Sequence, residues 1–132
     1  MKQTLHEDEA LYLQIAKTIE EEILRGGIVE ENQIPSTNEL SKLYQINPAT
    51  VLKGITLLVD QDILYKKRGI GMFVQQGAKE KIQNARKGTF KDIILKQFLK
   101  EASLLGISYQ ELMAMIGEAS EGERSEASGN RY

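Results

Sequence analysis

Polar and basic side chains recur at the starts of two neighbouring helical patterns and in the short segment that follows them. They are Ser36, Thr37, Asn38, Asn47, Thr50, Lys53, Lys66, Lys67 and Arg68. Hydroxyl, amide and cationic groups of this kind bind phosphate oxygens and the edges of nucleic-acid bases. The set contains no histidine or cysteine to act as a general base or nucleophile. The chemistry that it favours is therefore the binding of a polyanion.

The first of the two helices has a start signal in the sequence. Ser36 and Glu39 stand three residues apart, which is the spacing of a capping box. In this motif the serine hydroxyl accepts a hydrogen bond from the glutamate amide, and the glutamate carboxylate accepts one from the serine amide. The pattern predicts a helix that begins near Thr37, with Leu40 and Leu43 on its buried side.

The second helix follows a short turn at residues 44–46. Asn47 is a favoured N-cap residue, and Pro48 is favoured at the first helical position. The next apolar residues are spaced four and three apart and predict one buried stripe: Val51, Ile55 and Leu58. Two short helices joined by a tight turn are typical of a helix-turn-helix.

A basic hairpin is predicted directly after the second helix. Residues 63–66 and 72–74 have high strand propensity, and the glycines of segment 67–71 suit a hairpin tip. Helix, turn, helix and hairpin together predict a winged helix-turn-helix in an α+β, mostly α, protein. A helical domain with an unrelated hairpin is the less specific alternative.

Three short motifs occur along this region. They are Ile34-Pro35-Ser36-x-x-Glu39-Leu40, Asn47-Pro48-x-Thr50-Val51-x-Lys53 and Gly69-x-Gly71-x-Phe73-Val74. In combination they resemble the DNA-binding domain of GntR-family bacterial transcription regulators, and the second motif is most similar to the YtrA-type subfamily. The resemblance covers residues 10–116 and implies a homodimeric regulator of transcription, commonly a repressor, that binds double-stranded DNA. Relatives often have arginine at DNA-contacting positions where this chain has Asn38, Leu52 and Ile70.

The expected DNA-binding surface combines both helices and the hairpin. The N-terminal residues of a recognition helix enter the major groove, whereas the start of the preceding helix suits a phosphate as well as its own cap. The basic hairpin is suited to contact the minor groove or its phosphates. The alternative is that its charges only increase the solubility of the protein. Ala49 and Leu52 are apolar, so on DNA they could contact only a thymine methyl group. The alternative is that they pack within the protein. The expected DNA-binding residues are Ser36, Thr37, Asn38, Asn47, Pro48, Ala49, Thr50, Lys53, Lys66, Lys67, Arg68, Gly69 and Gly71.

One further helix is predicted ahead of this region. The apolar stripe of its residues predicts a helix over Leu11–Arg25, and Gly26-Gly27 supplies its stop. This helix should complete the core of a DNA-binding domain over residues 10–76. Residues 1–9 are expected to form a flexible acidic leader.

Residues 77–117 are predicted to form a helical dimerisation region. A connecting helix should be interrupted at Gly88, Thr89 should cap a longer helix that ends near Gly106, and Ser108 should cap the last helix. The longer helix carries a wide apolar arc, which favours a two-fold homodimer over folding back onto the same chain. The expected interface residues are Phe90, Ile94, Phe98 and Leu105.

The end of the chain has a different composition from the rest. Residues 118–132 are rich in Glu, Gly, Ser and Asn and have no apolar cluster. Such a segment buries too little apolar surface to offset the entropy of ordering. We therefore expect it to be disordered.

Composition excludes several other classes of function. The chain of 132 residues has no cysteine and one histidine. That residue, His6, stands in the acidic leader, where adjacent side chains are poorly spaced to converge on a metal ion. Neither a catalytic triad nor a phosphate-binding Gly-Lys-Ser/Thr motif is present in the sequence. We expect no enzyme activity, no metal and no cofactor.

The charge distribution agrees with a nucleic-acid partner despite a formal net charge of −2. Acids dominate residues 1–31, whereas bases cluster at the hairpin and along residues 79–100. The sequence has neither an apolar run of about 20 residues nor a hydrophobic signal region, which predicts a cytoplasmic protein. A winged helix that binds another protein is the rival function, and a small-molecule effector between the C-terminal helices is compatible with either.

Overall fold

The computed structural model describes residues 10–129, with side chains described to residue 126. The chain forms two compact units, one that ends at Arg86 and one that begins at Lys87. The first holds α1 (Leu11–Arg25), α2 (Thr37–Tyr44), α3 (Pro48–Asp60), β1 (Leu64–Lys67) and β2 (Gly71–Val74), and α4 (Ala78–Thr89) begins in it. The second holds a π-helical stretch (Phe90–Leu95), α5 (Lys96–Leu104) and α6 (Tyr109–Gly129). The predicted leader and residues 130–132 lie outside the described part.

The core of the first unit lies between α1 and α3. The predicted stripes of both helices are buried except at Leu11, which is 41% exposed at the start of α1, and Ile19 of α1 and Val51 of α3 have no exposed surface. At Gly54 the helices approach so closely that an added Cβ would lie 2.7 Å from the Tyr12 carbonyl oxygen. Helix α1 ends as predicted, because Gly26 adopts the left-handed conformation (φ 84°).

Helix α2 begins with the predicted capping box. The Ser36 hydroxyl accepts from the Glu39 amide at 3.1 Å, and the Ser36 amide donates to the Glu39 carboxylate at 3.1 Å. The prediction that Leu43 is buried is wrong, because this side chain is 45% exposed. Leu40 occupies the buried position, and Tyr44, four residues later and closer to the same helix face, packs against the core instead.

The turn between α2 and α3 is fixed by local hydrogen bonds. Gln45 adopts a left-handed conformation (φ 54°), and the Ser41 hydroxyl donates to the Ile46 carbonyl oxygen. The Asn47 side chain then accepts from the Ala49 amide at 2.8 Å, which is the predicted N-cap of α3. The sequence prediction of a helix-turn-helix is therefore confirmed.

The wing is an antiparallel hairpin of β1 and β2 in which Leu64 pairs with Val74 and Lys67 with Gly71. The connecting segment before α2 lies along the outer side of β2: the Ile34 amide donates to the Met72 carbonyl at 2.9 Å. Beyond the wing, α4 buries Ala78 and Ile82 in the same core. The first unit consequently extends past the predicted boundary at residue 76.

The second unit differs from its prediction in two places. Helix α4 runs through Gly88, and Thr89 has helical dihedral angles rather than those of an N-cap (φ −62°, ψ −42°). A single glycine costs a helix only about 1 kcal/mol relative to alanine, which its helix-forming neighbours offset. The predicted disorder from residue 118 is also wrong for the described residues, because α6 continues to Gly129. Its capped start, where Ser108 accepts from the Glu111 amide at 3.2 Å, nucleates a helix that the following Ala and Glu residues can propagate.

Candidate nucleic-acid interface

A cleft on the first unit brings together the start of α2, the exposed side of α3 and the wing. Its lining residues are Gln33, Ile34, Pro35, Ser36, Thr37, Asn38, Leu52, Ile55, Lys66, Ile70, Gly71 and Met72. The structure therefore places five of the predicted DNA-binding residues around one concave surface. The amides at the N-terminus of α2 and the Lys66 ammonium are both suited to an anionic group in such a cleft.

The N-terminal half of α3 forms a ridge beside this cleft. Asn47, Pro48 and Ala49 are exposed, and Thr50 is half-buried. Leu52 is 48% exposed although its neighbour Val51 is fully buried. In a helix-turn-helix, residues at this end of the second helix are the ones that commonly enter a groove of duplex DNA.

Lys53 is exposed, but its ammonium group has an intramolecular partner. The Lys53 Nζ lies 4.1 Å from the centre of the Tyr12 ring, which is a cation–π distance. Both residues line a second cleft, together with Ala49, Leu52, Thr56, Leu57 and Asp60. The side chain of Lys53, one of the expected DNA-binding residues, is thus directed towards α1.

The basic residues of the wing lie in different environments. The Lys67 Nζ lies 4.1 Å from the centre of the Phe73 ring and 6.0 Å from that of the Tyr65 ring. Because successive strand residues face opposite sides, Lys66 faces away from these rings, and it lines the cleft. Arg68 and Gly69 stand exposed at the tip, where Gly69 has φ 78°. Only part of the predicted basic trio therefore shares a surface with α2.

The wing tip is anchored by a residue that the sequence analysis missed. The Gln33 side-chain amide donates to the Ile70 carbonyl at 3.0 Å, and a Cβ on Gly71 would collide with the same amide. Gly71 thus provides room for this contact as well as a positive φ of 150°. A long-range side-chain contact of this kind leaves no periodic signal in a sequence.

A second contact holds the wing at its base. The Tyr65 hydroxyl donates to the Glu31 carboxylate at 2.7 Å. This hydrogen bond, with burial and the nearby negative charge, raises the pKa of Tyr65 above its ordinary value of 10.0. The segment before α2 therefore contacts both ends of the hairpin.

The acids of α1 are neutralised within the first unit. Arg86 lies 3.4 Å from Glu20 and 3.7 Å from Glu21, while Arg25 lies 3.3 Å from both Glu21 and Glu22. Such partly exposed pairs contribute little stability. Neither cleft described above is lined by these glutamates, so the negative charge of α1 stands away from them.

Two other features are absent from the part of the chain that the structure describes: a metal-binding cluster and a membrane-spanning helix. Among residues 10–129, there is no cluster of His, Cys, Asp or Glu that could hold a metal ion. His6 lies outside this range. No helix in the described part of the chain is long and apolar enough to cross a membrane.

Comparison with known proteins identifies the family. The model of bacterial regulatory proteins of the gntR family matches residues 11–74. The HTH-type transcriptional repressor YtrA of Bacillus subtilis is 29% identical over 110 residues, which cover 83% of this chain and 84% of YtrA. The transcriptional regulator YhcF of the same organism is 25% identical over 122 residues, covering 92% of this chain and 99% of YhcF.

A solved structure extends the similarity beyond the DNA-binding region. The crystal structure of a GntR-family transcriptional regulator from Bacteroides thetaiotaomicron is 38% identical to this chain and superposes with a TM-score of 0.73. The match covers 85% of this chain and 98% of that one. The wing, the capped α2 and the capped α3 are thus parts of a known architecture. The chain belongs to the GntR family of bacterial transcription regulators.

Proposed function

We propose that this chain is a sequence-specific DNA-binding repressor that acts as a homodimer on a two-fold-symmetric operator. The observation that carries the proposal is the cleft in which the start of α2, the exposed side of α3 and Lys66 of the wing converge. A protein-binding surface would favour large aromatic anchors. Among the described residues that line this cleft none is aromatic, and beside its apolar side chains it offers hydroxyl, amide and ammonium groups, which suit a duplex.

Each element of the cleft has a separate task in this proposal. The N-terminal residues of α3, from Asn47 to Thr50, enter the major groove. The amides at Thr37 and Asn38 bind a backbone phosphate. Lys66 and Arg68 neutralise phosphates beside the adjacent minor groove.

The homodimer is supported by the second unit. Large apolar side chains remain exposed along one helical stretch, including Phe90 (54%), Ile94 and Phe98 (43%), and Leu105 follows at the end of α5. Soluble monomers seldom expose contiguous apolar surface of this kind. Burying it against the same surface of a second copy gives a two-fold dimer with two recognition helices for two half-sites.

The repressor role is supported by the similarity to YtrA, which is named a transcriptional repressor. A repressor acts on chromosomal DNA, so we place the protein in the cytoplasm. A small-molecule effector would act by changing the distance between the two recognition helices, since operator binding depends on half-site spacing.

The proposal is tested by selecting bound sequences from random duplex DNA with the full chain. We expect an inverted repeat whose half-sites lie about one or more helical turns apart. A reporter gene placed behind the selected sequence should then be expressed less when the protein is present. Recovery of no preferred sequence would contradict the proposal, and recovery of single half-sites would contradict the dimer.

A further inference from the structure

The exposed ridge of α3 has an apolar side chain at Leu52, a position where a longer polar or cationic side chain could form hydrogen bonds with a base edge. Leu52 is 48% exposed, whereas Ile55 one turn later is buried at 1%. Leu52 lines both clefts that flank the ridge, so its side chain stands between them. This residue is therefore a surface feature of the first unit and not a member of its core.

The nearest cation on α3 does not cover this apolar surface. Lys53 Nζ lies over the Tyr12 ring at 4.1 Å. Tyr12 is brought there because α1 passes close to α3 at Gly54. The ammonium group is thus drawn to the α1 side of the recognition helix, and Leu52 is left as the long side chain of the ridge.

We propose that Leu52, with Ala49 one turn before it, reads thymine through the C5-methyl group in the major groove. This inference rests on the proposed function and names how the same surface gains specificity. Leucine can form no hydrogen bond to a base edge, and the thymine methyl is the apolar group that the major groove presents. Residues 49 and 52 are three apart and share one helix face, so they can enclose one or two such methyl groups per half-site.

The experiment replaces each thymine of the selected operator, one at a time, with deoxyuridine. Uracil keeps the base pair and lacks only the methyl group. Removing one buried methyl should weaken binding about fourfold per half-site, because a buried CH₂ contributes about 0.8 kcal/mol and tenfold corresponds to 1.4 kcal/mol. Fluorescence anisotropy of labelled duplexes measures the dissociation constants. We expect the loss at one or two positions of each half-site and none at flanking thymines.

Variants assign the effect to the side chain. Leu52→Ala should bind the thymine and uracil operators with equal affinity at the sensitive position, and Thr56→Ala, exposed on the same helix, should keep the wild-type difference. Leu52→Arg should shift the preference towards guanine, since a guanidinium forks onto O6 and N7. Circular dichroism of each variant checks that the fold is kept.

The outcomes separate this inference from the function on which it rests. If the wild type binds every uracil operator as tightly as the thymine one, methyl reading is overturned although operator binding stands. Retention of the thymine–uracil difference by Leu52→Ala overturns the assignment to Leu52. A failure to select any operator contradicts the proposed function itself. The inference is supported if Leu52→Ala loses the thymine–uracil difference in affinity while Thr56→Ala keeps it.

Discussion

The two units treat their apolar side chains in opposite ways. In the first unit, a cluster from α1, α2, α3, the wing and α4 buries large residues such as Ile19, Leu40 and Val74 completely. In the second unit, Ala102 and Leu112 are the apolar side chains buried among residues 87–126. Phe90 and Phe98, by contrast, remain about half exposed. One unit closes its own core, and the other does not.

This difference is the one that the proposed homodimer would explain. A unit as small as the second, which begins at Lys87 and spans 46 residues, is at best marginally stable alone, and it leaves its largest side chains in contact with solvent. The first unit should keep its structure at any protein concentration. The second unit should gain stability on association, so that its order is linked to the concentration of the chain.

The largest expected effect comes from placing a charge in the exposed apolar surface. Phe98→Asp should give monomers, because a carboxylate buried at a dimer interface without a partner is strongly disfavoured. A monomer has only one recognition helix for an operator with two half-sites, so operator binding should weaken about 100-fold or more. Analytical ultracentrifugation and anisotropy titration measure both effects.

The neighbouring polar residue provides the control for this change. Gln97 is exposed on the same helix but points about 100° away from Phe98. Gln97→Asp adds the same charge and should leave the protein dimeric with unchanged affinity. A wild-type protein that sediments as a monomer at micromolar concentration would contradict the role given to this surface.

Two helical glycines test the contrast in packing directly. Gly54→Ala should destabilise the first unit by about 1–3 kcal/mol, because its Cβ would lie 2.7 Å from the Tyr12 carbonyl oxygen. Gly88→Ala should stabilise by up to about 1 kcal/mol, because nothing lies within 4 Å of the added atom. Urea denaturation followed by circular dichroism compares the two. Equal effects would mean that the first unit is no more tightly packed than the second.

The success of sequence reasoning follows the range of the interactions. The capping box at Ser36 and the N-cap at Asn47 are set by residues two or three apart, and both are confirmed. Gly88 was misjudged because an intrinsic propensity was read as a helix break. The Gln33–Ile70 contact joins residues 37 apart. These two residues come together only in the folded chain, so no local sequence pattern predicts their contact.

The candidate interface shows the same limit. The sequence shows that Lys53, Lys66 and Lys67 are cations, but it does not show which residues surround each of them. Lys53 lies over the Tyr12 ring, and Lys67 lies over the Phe73 ring. The first contact depends on how α1 packs against α3, and the second depends on which face of the hairpin each residue occupies. The sequence predicted which residues carry charge, and the fold determined which of them face the cleft.

A moderate effect on the salt dependence of DNA binding is expected from replacing the two lysines of the wing one at a time. Lys66→Ala should reduce the slope of log affinity against log salt by about 0.9 for each wing, because one phosphate contact is lost. Lys67→Ala should change this slope less, since its ammonium is held over the Phe73 ring. Anisotropy titrations from low to high salt give both slopes. The reverse order would show that Lys67 leaves the ring when DNA binds.

The smallest expected effect concerns the hydrogen bond between Tyr65 and Glu31 at the base of the wing. Tyr65→Phe should lower stability at neutral pH, because the Glu31 carboxylate loses its donor. The bond raises the pKa of Tyr65, so the folded chain holds the phenolic proton more tightly than the unfolded chain. Its contribution is therefore fully present below about pH 10 and is lost as the pH rises through the raised pKa.

The wild type and Tyr65→Phe should thus differ in urea denaturation at about pH 8, and the difference should shrink as the pH rises above the ordinary pKa of tyrosine. Lysine deprotonation in the same range affects both proteins and cancels in the difference. Tyr109→Phe is the matched control, because Tyr109 is exposed at the start of α6 in the second unit. It should leave the pH dependence unchanged. A gap between wild type and Tyr65→Phe that does not shrink above the ordinary pKa of tyrosine would show that the gap does not come from this hydrogen bond.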